Sequence, residues 1–169
     1  MKQLIKACSF FIFYFLLFTS SQAQPLKQTK GFTHADTLRG TYGASRDWWD
    51  VLKYDLHVKF NIGDSTISGY NVIQFKTLKK GEVMQIDLQE PMVLDSILFV
   101  THNSNIGKVP ADKIKQDGNA YFFPASYFSV PHTNYPVVNL TVYYHGKPRI
   151  AHRPPWDGGL IWKKDKNKN

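Results

Sequence analysis

An alternation of apolar and polar residues with a period of two is the feature that most constrains this fold. It runs from residue 52 to residue 62 and has its apolar members at the even positions. Successive side chains of a β-strand point to opposite faces, so the spacing predicts a half-buried strand. The apolar members are Leu52, Tyr54, Leu56, Val58, Phe60 and Ile62.

Further segments of the same kind follow along the chain. Turn residues at 63–65 separate the first strand from a second at 66–76, which predicts a long antiparallel hairpin. Gly69 inside the second strand indicates a bulge or a close approach of the backbone. Shorter strands are predicted at 84–88, 93–100, 120–123 and 137–144, with a turn-rich loop at 103–108. No segment has sustained helical spacing, so we predict an all-β fold, an antiparallel sandwich or saddle-like domain.

The first 23 residues have the layout of a signal peptide. Lys2 and Lys6 precede an apolar run at 10–18, and small residues follow up to Ala23. The run is shorter than the roughly 20 residues that span a bilayer, although an uncleaved membrane anchor is the alternative. Cleavage would export the chain to the periplasm, the cell surface or the medium, with no stable membrane span. The single cysteine, Cys8, would leave with the peptide, so no disulfide is expected.

The remaining chain divides into two predicted parts. Residues 24–45 are polar and lack periodicity, which predicts an extended leader. Residues 46–169 form the predicted β-domain. It opens on the adjacent pair Trp48 and Trp49, which cannot share one face of a strand. Either one of them packs on a neighbouring part of a larger protein, or both cap the core of this domain.

The formal net charge of +8 is concentrated near the lysine-rich C-terminal end. This end is either a patch for nucleic acid or another acidic surface, or a solvated tail. We favour the tail, because no nucleic-acid recognition motif accompanies the lysines. No nucleic-acid partner is therefore predicted.

The motifs that carry hydrolytic chemistry do not occur in this sequence. A zinc peptidase helix needs His-Glu-x-x-His, but none of the six histidines precedes a glutamate or has a histidine four residues later. There is also no Gly-x-Ser-x-Gly elbow and no glycine-rich phosphate loop. We therefore predict no catalytic, cofactor-binding or metal-binding residue in this chain.

One segment, residues 145–164, has the composition of a possible site. Two rigid prolines precede Trp156, and Trp156 and Trp162 flank the sequence Asp157-Gly158-Gly159. The two glycines permit backbone angles that other residues avoid. These five residues either line a cleft or domain interface, or they form a structured loop that ends a strand.

Six short motifs give this chain a resemblance to a known family. They are YDLHV at 54–58, TISG at 66–69, QIDL at 85–88, YYHGKP at 143–148, PPWDGG at 154–159 and WKKD at 162–165. In this order they resemble the amino-terminal domain of the aminopeptidase N-like zinc metallopeptidases, in their exported bacterial branch. The YYHGKP and PPWDGG pair is the more specific part.

The resemblance implies a saddle-shaped, non-catalytic β-domain that packs on a catalytic domain and forms one wall of its substrate cleft. The partners implied are that zinc-peptidase domain, normally in the same chain, and the peptide substrate of the full enzyme. Zinc is expected in the catalytic domain and in no position of this sequence. An isolated domain of this kind should expose an apolar face and associate with itself.

Two other functions are compatible with the sequence. One is an exported module that binds peptides or glycans through exposed tryptophans. The other is a structural protein that pairs through the edge of a sheet.

Overall fold

The computed structural model describes residues 31–100, 106–128 and 137–166. The predicted signal peptide, residues 1–23, lies outside this part of the chain. From Thr33 onward the described residues form one unit that consists of two antiparallel sheets, which confirms the all-β prediction. The domain boundaries themselves stay predictions.

The larger sheet contains five strands in the spatial order β1-β2-β8-β4-β5. Their bounds are β1 Trp49–Asn61, β2 Thr66–Thr77, β4 Val93–Val100, β5 Ile106–Lys108 and β8 Val137–Gly146. The smaller sheet has the order β3-β7-β6, with β3 Val83–Asp87, β6 Lys115–Asp117 and β7 Ala120–Pro124. Two single-turn 3₁₀ helices, Ala111–Lys113 and Ala125–Phe128, and one α-helix, α1 His34–Gly40, complete the described elements.

The predicted strands are confirmed to within a few residues, whereas β5 and β6 were not predicted. Each has only three residues, which is too short to show a period of two. β5 forms at the end of the segment predicted as a loop, because it pairs antiparallel with β4. β6 and β7 form a hairpin through Gly118 and Asn119, and Gly118 has the positive φ that such two-residue turns favour.

Aromatic rings from both sheets fill the core. Phe75 of β2 is fully buried and meets the rings of Trp48, Trp49 and Phe128 edge-on. Trp48 is also buried and donates its indole N–H to the Val83 carbonyl at 2.9 Å. Trp49 is half-buried and packs against the same core. Both tryptophans therefore pack on the core of this domain, while Trp49 keeps part of its surface exposed.

The leader contains a helix where an extended segment was predicted. Thr33 caps α1 through a hydrogen bond with Asp36, and the two residues form a reciprocal capping box. At the other end of α1, Gln85 donates to the Leu38 carbonyl at 3.1 Å and Arg46 donates to the Arg39 carbonyl at 2.9 Å. These polar contacts hold a helix that has no buried residue, so the apolar periodicity that reveals helices is missing from its sequence.

The close approach predicted at Gly69 is confirmed. A Cβ atom at this position would lie 1.9 Å from the backbone oxygen of His57 on β1. Tyr144 is the partner of Gly69 on β8, and its hydroxyl donates to the same oxygen at 3.4 Å. Only glycine fits between the two strands here.

The prediction that β1 is half-buried is wrong for most of its length. The strand and its period of two are present, but the even-numbered side chains from Leu52 to Ile62 are all exposed. The buried cluster takes in Ile73 and Phe75 of β2, while β1 packs against it only through Trp49 and Val51. The small sheet therefore covers the middle of the large sheet and leaves its β1 side open.

Candidate functional site

Two surface features lie at this uncovered side of the domain. The first, which we call the open face, consists of Tyr54, Leu56, Val58 and Phe60 on β1. The second, which we call the Trp156 loop, is the segment from residue 149 to residue 160. Trp162, which follows the Trp156 loop by two residues, links the two features. Its ring packs edge-on against that of Phe60 on the open face, with centroids 6.3 Å apart.

The Trp156 loop is closed at its base by backbone hydrogen bonds. Ile150 and Leu160 form an isolated parallel bridge, with Leu160 N donating to Arg149 O at 2.8 Å and Ala151 N donating to Leu160 O at 3.1 Å. Gly159 has a φ of 110°, and a Cβ atom there would lie 2.5 Å from the Arg149 oxygen. The second glycine of the WDGG sequence is thus required for the base to close.

Asp157 organises the interior of the loop. One carboxylate oxygen, Oδ2, accepts hydrogen bonds from the backbone N–H groups of His152 at 2.6 Å and Arg153 at 2.9 Å. The Arg153 and His152 N–H groups hold the pKa of Asp157 below its usual value of 3.8, because they stabilise the ionised form. The other oxygen, Oδ1, is shielded from solvent and finds no partner among the described residues.

The two tryptophans of this segment have different environments. Trp156 stands at the tip of the loop and is 88% exposed. Trp162 is half-buried against Phe60, and its indole nitrogen is shielded from solvent without a partner in the described part of the chain. Asp157, Gly158 and Gly159 therefore shape the loop, while Trp156 and Trp162 are the side chains that it and its C-terminal flank present. The role of these five residues in a cleft or interface stays a prediction.

Replacing Asp157 should open the loop without unfolding the domain. We expect Asp157→Ala to deprotect the amides of His152 and Arg153 in hydrogen exchange near neutral pH. Because its pKa is lowered, the Asp157 carboxylate stabilises the closed loop fully above about pH 4. This stabilisation is lost as the pH falls through the pKa of the folded state. In the unmodified chain, the two amide resonances should therefore shift together only in strongly acidic solution.

Asp157→Asn is the matched control for this prediction. Its side-chain oxygen still accepts hydrogen bonds, but it carries no charge and does not titrate. In this variant we expect the amides of His152 and Arg153 to keep partial protection from hydrogen exchange, and this protection should not depend on the charge of residue 157. Equal protection in the Ala variant and the unmodified chain would show that the carboxylate does not hold the loop.

The open face borders a pocket of about 550 Å³. Tyr54, Leu56 and Trp49 contribute apolar surface, and the ion pair between Arg46 and Asp87 lies among the lining residues. Asn71 of β2 also lines this pocket, and its side-chain oxygen is buried with no partner among the described residues. The pocket thus combines apolar surface with five charged or amide side chains.

A second pocket, of about 450 Å³, lies between α1 and the Trp156 loop. It brings Asp157 and Arg149 near His34 and Arg39 of the leader, with Asp117 on the facing hairpin. The ring of His34 and the carboxylate of Asp117 form a hydrogen bond of 2.8 Å at the surface. The pocket is thus lined by charges of both signs.

Three of the four described histidines have side-chain partners, and Nε2 of His34 lies 2.8 Å from Asp117. The His145 ring contacts Asp95 at 2.6 Å, and the His57 ring stacks on Tyr70 with centroids 4.3 Å apart. His102 and His132 lie outside the described residues. Within 31–100, 106–128 and 137–166, no group of three or more His, Cys, Asp or Glu side chains could hold a metal ion. These residues do not fit a zinc site.

The part of the chain that the structure describes contains no helix that is both long and apolar enough to cross a membrane.

The sequence did not identify the open face as a surface. Its apolar residues were recognised, but alternation alone does not say whether a second layer covers them. One residue in the sequence does indicate an uncovered region. Asn71 places an amide on the apolar face of β2, between Gly69 and Ile73, where a fully covered sheet would carry an apolar side chain.

No known protein-family profile matches the chain, and no curated protein matches it. The chain is similar to solved structures, with 17% identity to native yeast LTA4 hydrolase over 59% of this chain, at a TM-score of 0.43. It is 18% identical to a mutant of the M1 zinc metallopeptidase from Deinococcus radiodurans over 65% of this chain, at a TM-score of 0.45. A further structure, of native leukotriene A4 hydrolase from Saccharomyces cerevisiae, gives 16% identity over 59%, at a TM-score of 0.41. The chain spans 14%, 23% and 15% of the length of these three chains, respectively.

Proposed function

We propose that this chain is the exported, non-catalytic amino-terminal domain of an aminopeptidase N-like zinc peptidase. In this proposal it packs on the catalytic domain and forms one wall of the substrate cleft. The observation that carries the proposal is the open face, a row of apolar side chains that this domain leaves uncovered. The assignment to this family rests on the YYHGKP and PPWDGG sequences.

The open face has the properties of an interface that lacks its partner. Tyr54, Leu56 and Phe60 are each more than half exposed, although they share a face of the sheet with the buried core. Covering each of them would contribute on the order of 1 kcal/mol. Contiguous apolar surface of this kind usually marks a place where another protein surface packs.

The unpaired polar atoms support the same interpretation. The Asn71 oxygen lies beside the open face, and the Trp162 nitrogen lies beside Phe60. A buried polar atom without a partner costs about 1–3 kcal/mol, so such atoms are normally satisfied. Because both atoms are shielded from solvent, a packing domain could offer a donor to Asn71 and an acceptor to Trp162 only after the side chains around them rearrange.

Sequencing the gene beyond the codon for Asn169 tests the proposal directly. We expect the reading frame to continue and to encode His-Glu-x-x-His. That downstream part, produced separately, should bind zinc and associate with this chain. A continuing frame without any zinc-binding motif would overturn the proposal.

A pair of variants then tests the role of the open face. Leu56→Asp should weaken the association at least about tenfold, because it places a charge in an apolar contact. Ser68→Asp introduces the same charge on the opposite face of the sheet and should leave the association unchanged. Equal binding by both variants would mean that the open face is not the interface.

A stand-alone exported binding module is the second candidate, and the exposure of Trp156 favours it. Aromatic side chains that project from a closed loop suit peptide or glycan ligands. Tryptophan fluorescence would be titrated with panels of peptides and oligosaccharides. A saturable change that disappears in Trp156→Ala would support this function, and a flat response to both panels would exclude it for those ligands.

A further inference from the structure

β1 has a free edge in the part of the molecule that the structure describes. It lies at the end of the five-stranded sheet and pairs with β2 alone. All side chains from residue 52 to residue 60 are exposed. Its outward N–H and C=O groups therefore form a template on which another strand can pair.

The middle of this edge, from residue 54 to residue 60, has no proline, no bulge and no charge on its apolar side. There is no proline between residues 49 and 61, and the single irregularity of β1 lies near its start, between Val51 and Lys53. The charged side chains of β1, at Asp50, Lys53, Asp55 and Lys59, all lie on the outer face of the sheet. An edge strand that avoids pairing would instead carry a central bulge, a proline or a charge on its apolar side.

We propose that two copies of this chain pair through β1, antiparallel, about a two-fold axis that passes through His57. In this register Asp55 lies opposite the partner's Lys59, and the symmetry produces the pair twice. On the other face, Tyr54 lies opposite the partner's Phe60 and Leu56 lies opposite the partner's Val58. Directly opposed side chains of opposite charge, or of apolar character, stabilise antiparallel strands.

Neighbouring registers are less favourable. An axis through Leu56 would place Lys53 opposite the partner's Lys59, which is a like-charge contact. An axis through Val58 would place His57 opposite the partner's Lys59 and leave Asp55 without a cation. A slip by a single residue would set the apolar row of one copy against the charged row of the other. The alternation of β1 thus specifies the register as well as the strand.

Existing contacts do not compete strongly with this pairing. The Asp55 carboxylate lies 3.4 Å from the Lys53 ammonium and 3.3 Å from the His57 ring. Both pairs are about half exposed, and surface ion pairs of this kind contribute little. The stack of His57 on Tyr70 holds the ring within its own sheet, so it does not obstruct the axis.

The dimer uses the edge of β1, whereas the proposed packing on a catalytic domain uses its apolar face. The two proposals therefore fail independently. Loss of the downstream zinc motif would leave the dimer untouched, and a monomeric chain would leave the domain-packing proposal untouched.

Charge-reversal variants of the full chain test the dimer. Sedimentation equilibrium should show a dimer for the unmodified chain. Asp55→Lys and Lys59→Asp should each raise the dissociation constant at least about tenfold, because each sets two like-charge pairs across the axis. An equimolar mixture of the two variants should restore the dimer as a heterodimer, because positions 55 and 59 are both cationic in one variant and both anionic in the other.

The matched control is Asp112→Lys, which makes the same change of charge at an exposed position of a 3₁₀ helix. It should dimerise like the unmodified chain. Self-association through any other segment would be insensitive to charge at positions 55 and 59. A monomer at all concentrations, or a mixture that fails to restore association, would overturn the proposal.

Cysteine cross-linking tests the register by a separate measurement. In a Cys8→Ser background, His57→Cys should form a disulfide-linked dimer under mild oxidation, because directly opposed Cα atoms lie about 4.5–5.5 Å apart. Lys53→Cys should not cross-link, because its counterpart would lie near the other end of the paired strands. Equal cross-linking at both positions would rule out this register.

Discussion

Phe75→Ala should be among the most destabilising single substitutions in this chain, with a loss of about 3–5 kcal/mol in the free energy of unfolding. Phe75 has no exposed surface, and its ring contacts those of Trp48, Trp49 and Phe128 edge-on. The substitution leaves a cavity among three aromatic rings that cannot all move into it. Urea denaturation followed by tryptophan fluorescence would measure the loss, with unchanged m-values showing that two-state unfolding is kept.

Phe32→Ala is the control for this prediction. It removes the same atoms from a side chain that is 94% exposed, so the free energy of unfolding should change by less than about 0.5 kcal/mol. A similar loss in both variants would mean that the aromatic cluster around Phe75 is not the centre of the core.

Gly69→Ala should also destabilise the fold strongly, by about 3 kcal/mol, at the upper end of what overpacking costs. The added methyl group would lie 1.9 Å from the backbone oxygen of His57, and a backbone atom cannot rotate away as a flexible side chain can. The hairpin would have to separate locally. Thermal unfolding should register the loss, and faster amide exchange on either side of His57 should locate it.

Gly63→Ala provides the comparison for Gly69. It lies beyond the end of the same hairpin strand, and the nearest atom to its added Cβ would be the Asn61 side-chain oxygen at 3.5 Å. That distance is an ordinary contact, so the substitution should be neutral or stabilise by up to about 1 kcal/mol. If Gly69→Ala proved equally harmless, the close approach of β1 to β2 would not be a constraint on the fold.

The two glycine substitutions show how local sequence and tertiary structure share the control of this hairpin. The occurrence of Gly69 within a strand pattern was enough to predict a close approach. The atom it approaches, the His57 oxygen, follows only from the pairing of β1 with β2. Likewise, the glycines after Asp157 indicated unusual backbone angles, but the contact of Gly159 with Arg149 depends on how the loop closes.

Helix α1 shows why the sequence of this segment predicts an extended chain instead of a helix. Its sequence has no apolar stripe, and the contacts that hold it come from Gln85 and Arg46 rather than from its own side chains. Propensity and periodicity describe a segment in isolation, so they do not register a helix whose terminal carbonyls are satisfied by distant residues.

The sequence by itself determined the six longer strands of this protein, because a period of two is a property of each segment alone, whereas β5 and β6 are too short to show it. It also separated an apolar row from a charged row within β1, since the two alternate along the strand. Only the tertiary structure decided which apolar rows are covered. The small sheet packs over β2, β8 and β4 and stops short of β1, so Ile73 is buried while Tyr54, its direct neighbour on the same face, is exposed. Burial depends on a second layer that no strand encodes locally. The proposed packing on a catalytic domain uses the surface that this layer leaves open, and the proposed dimer uses the free edge of β1 beside it.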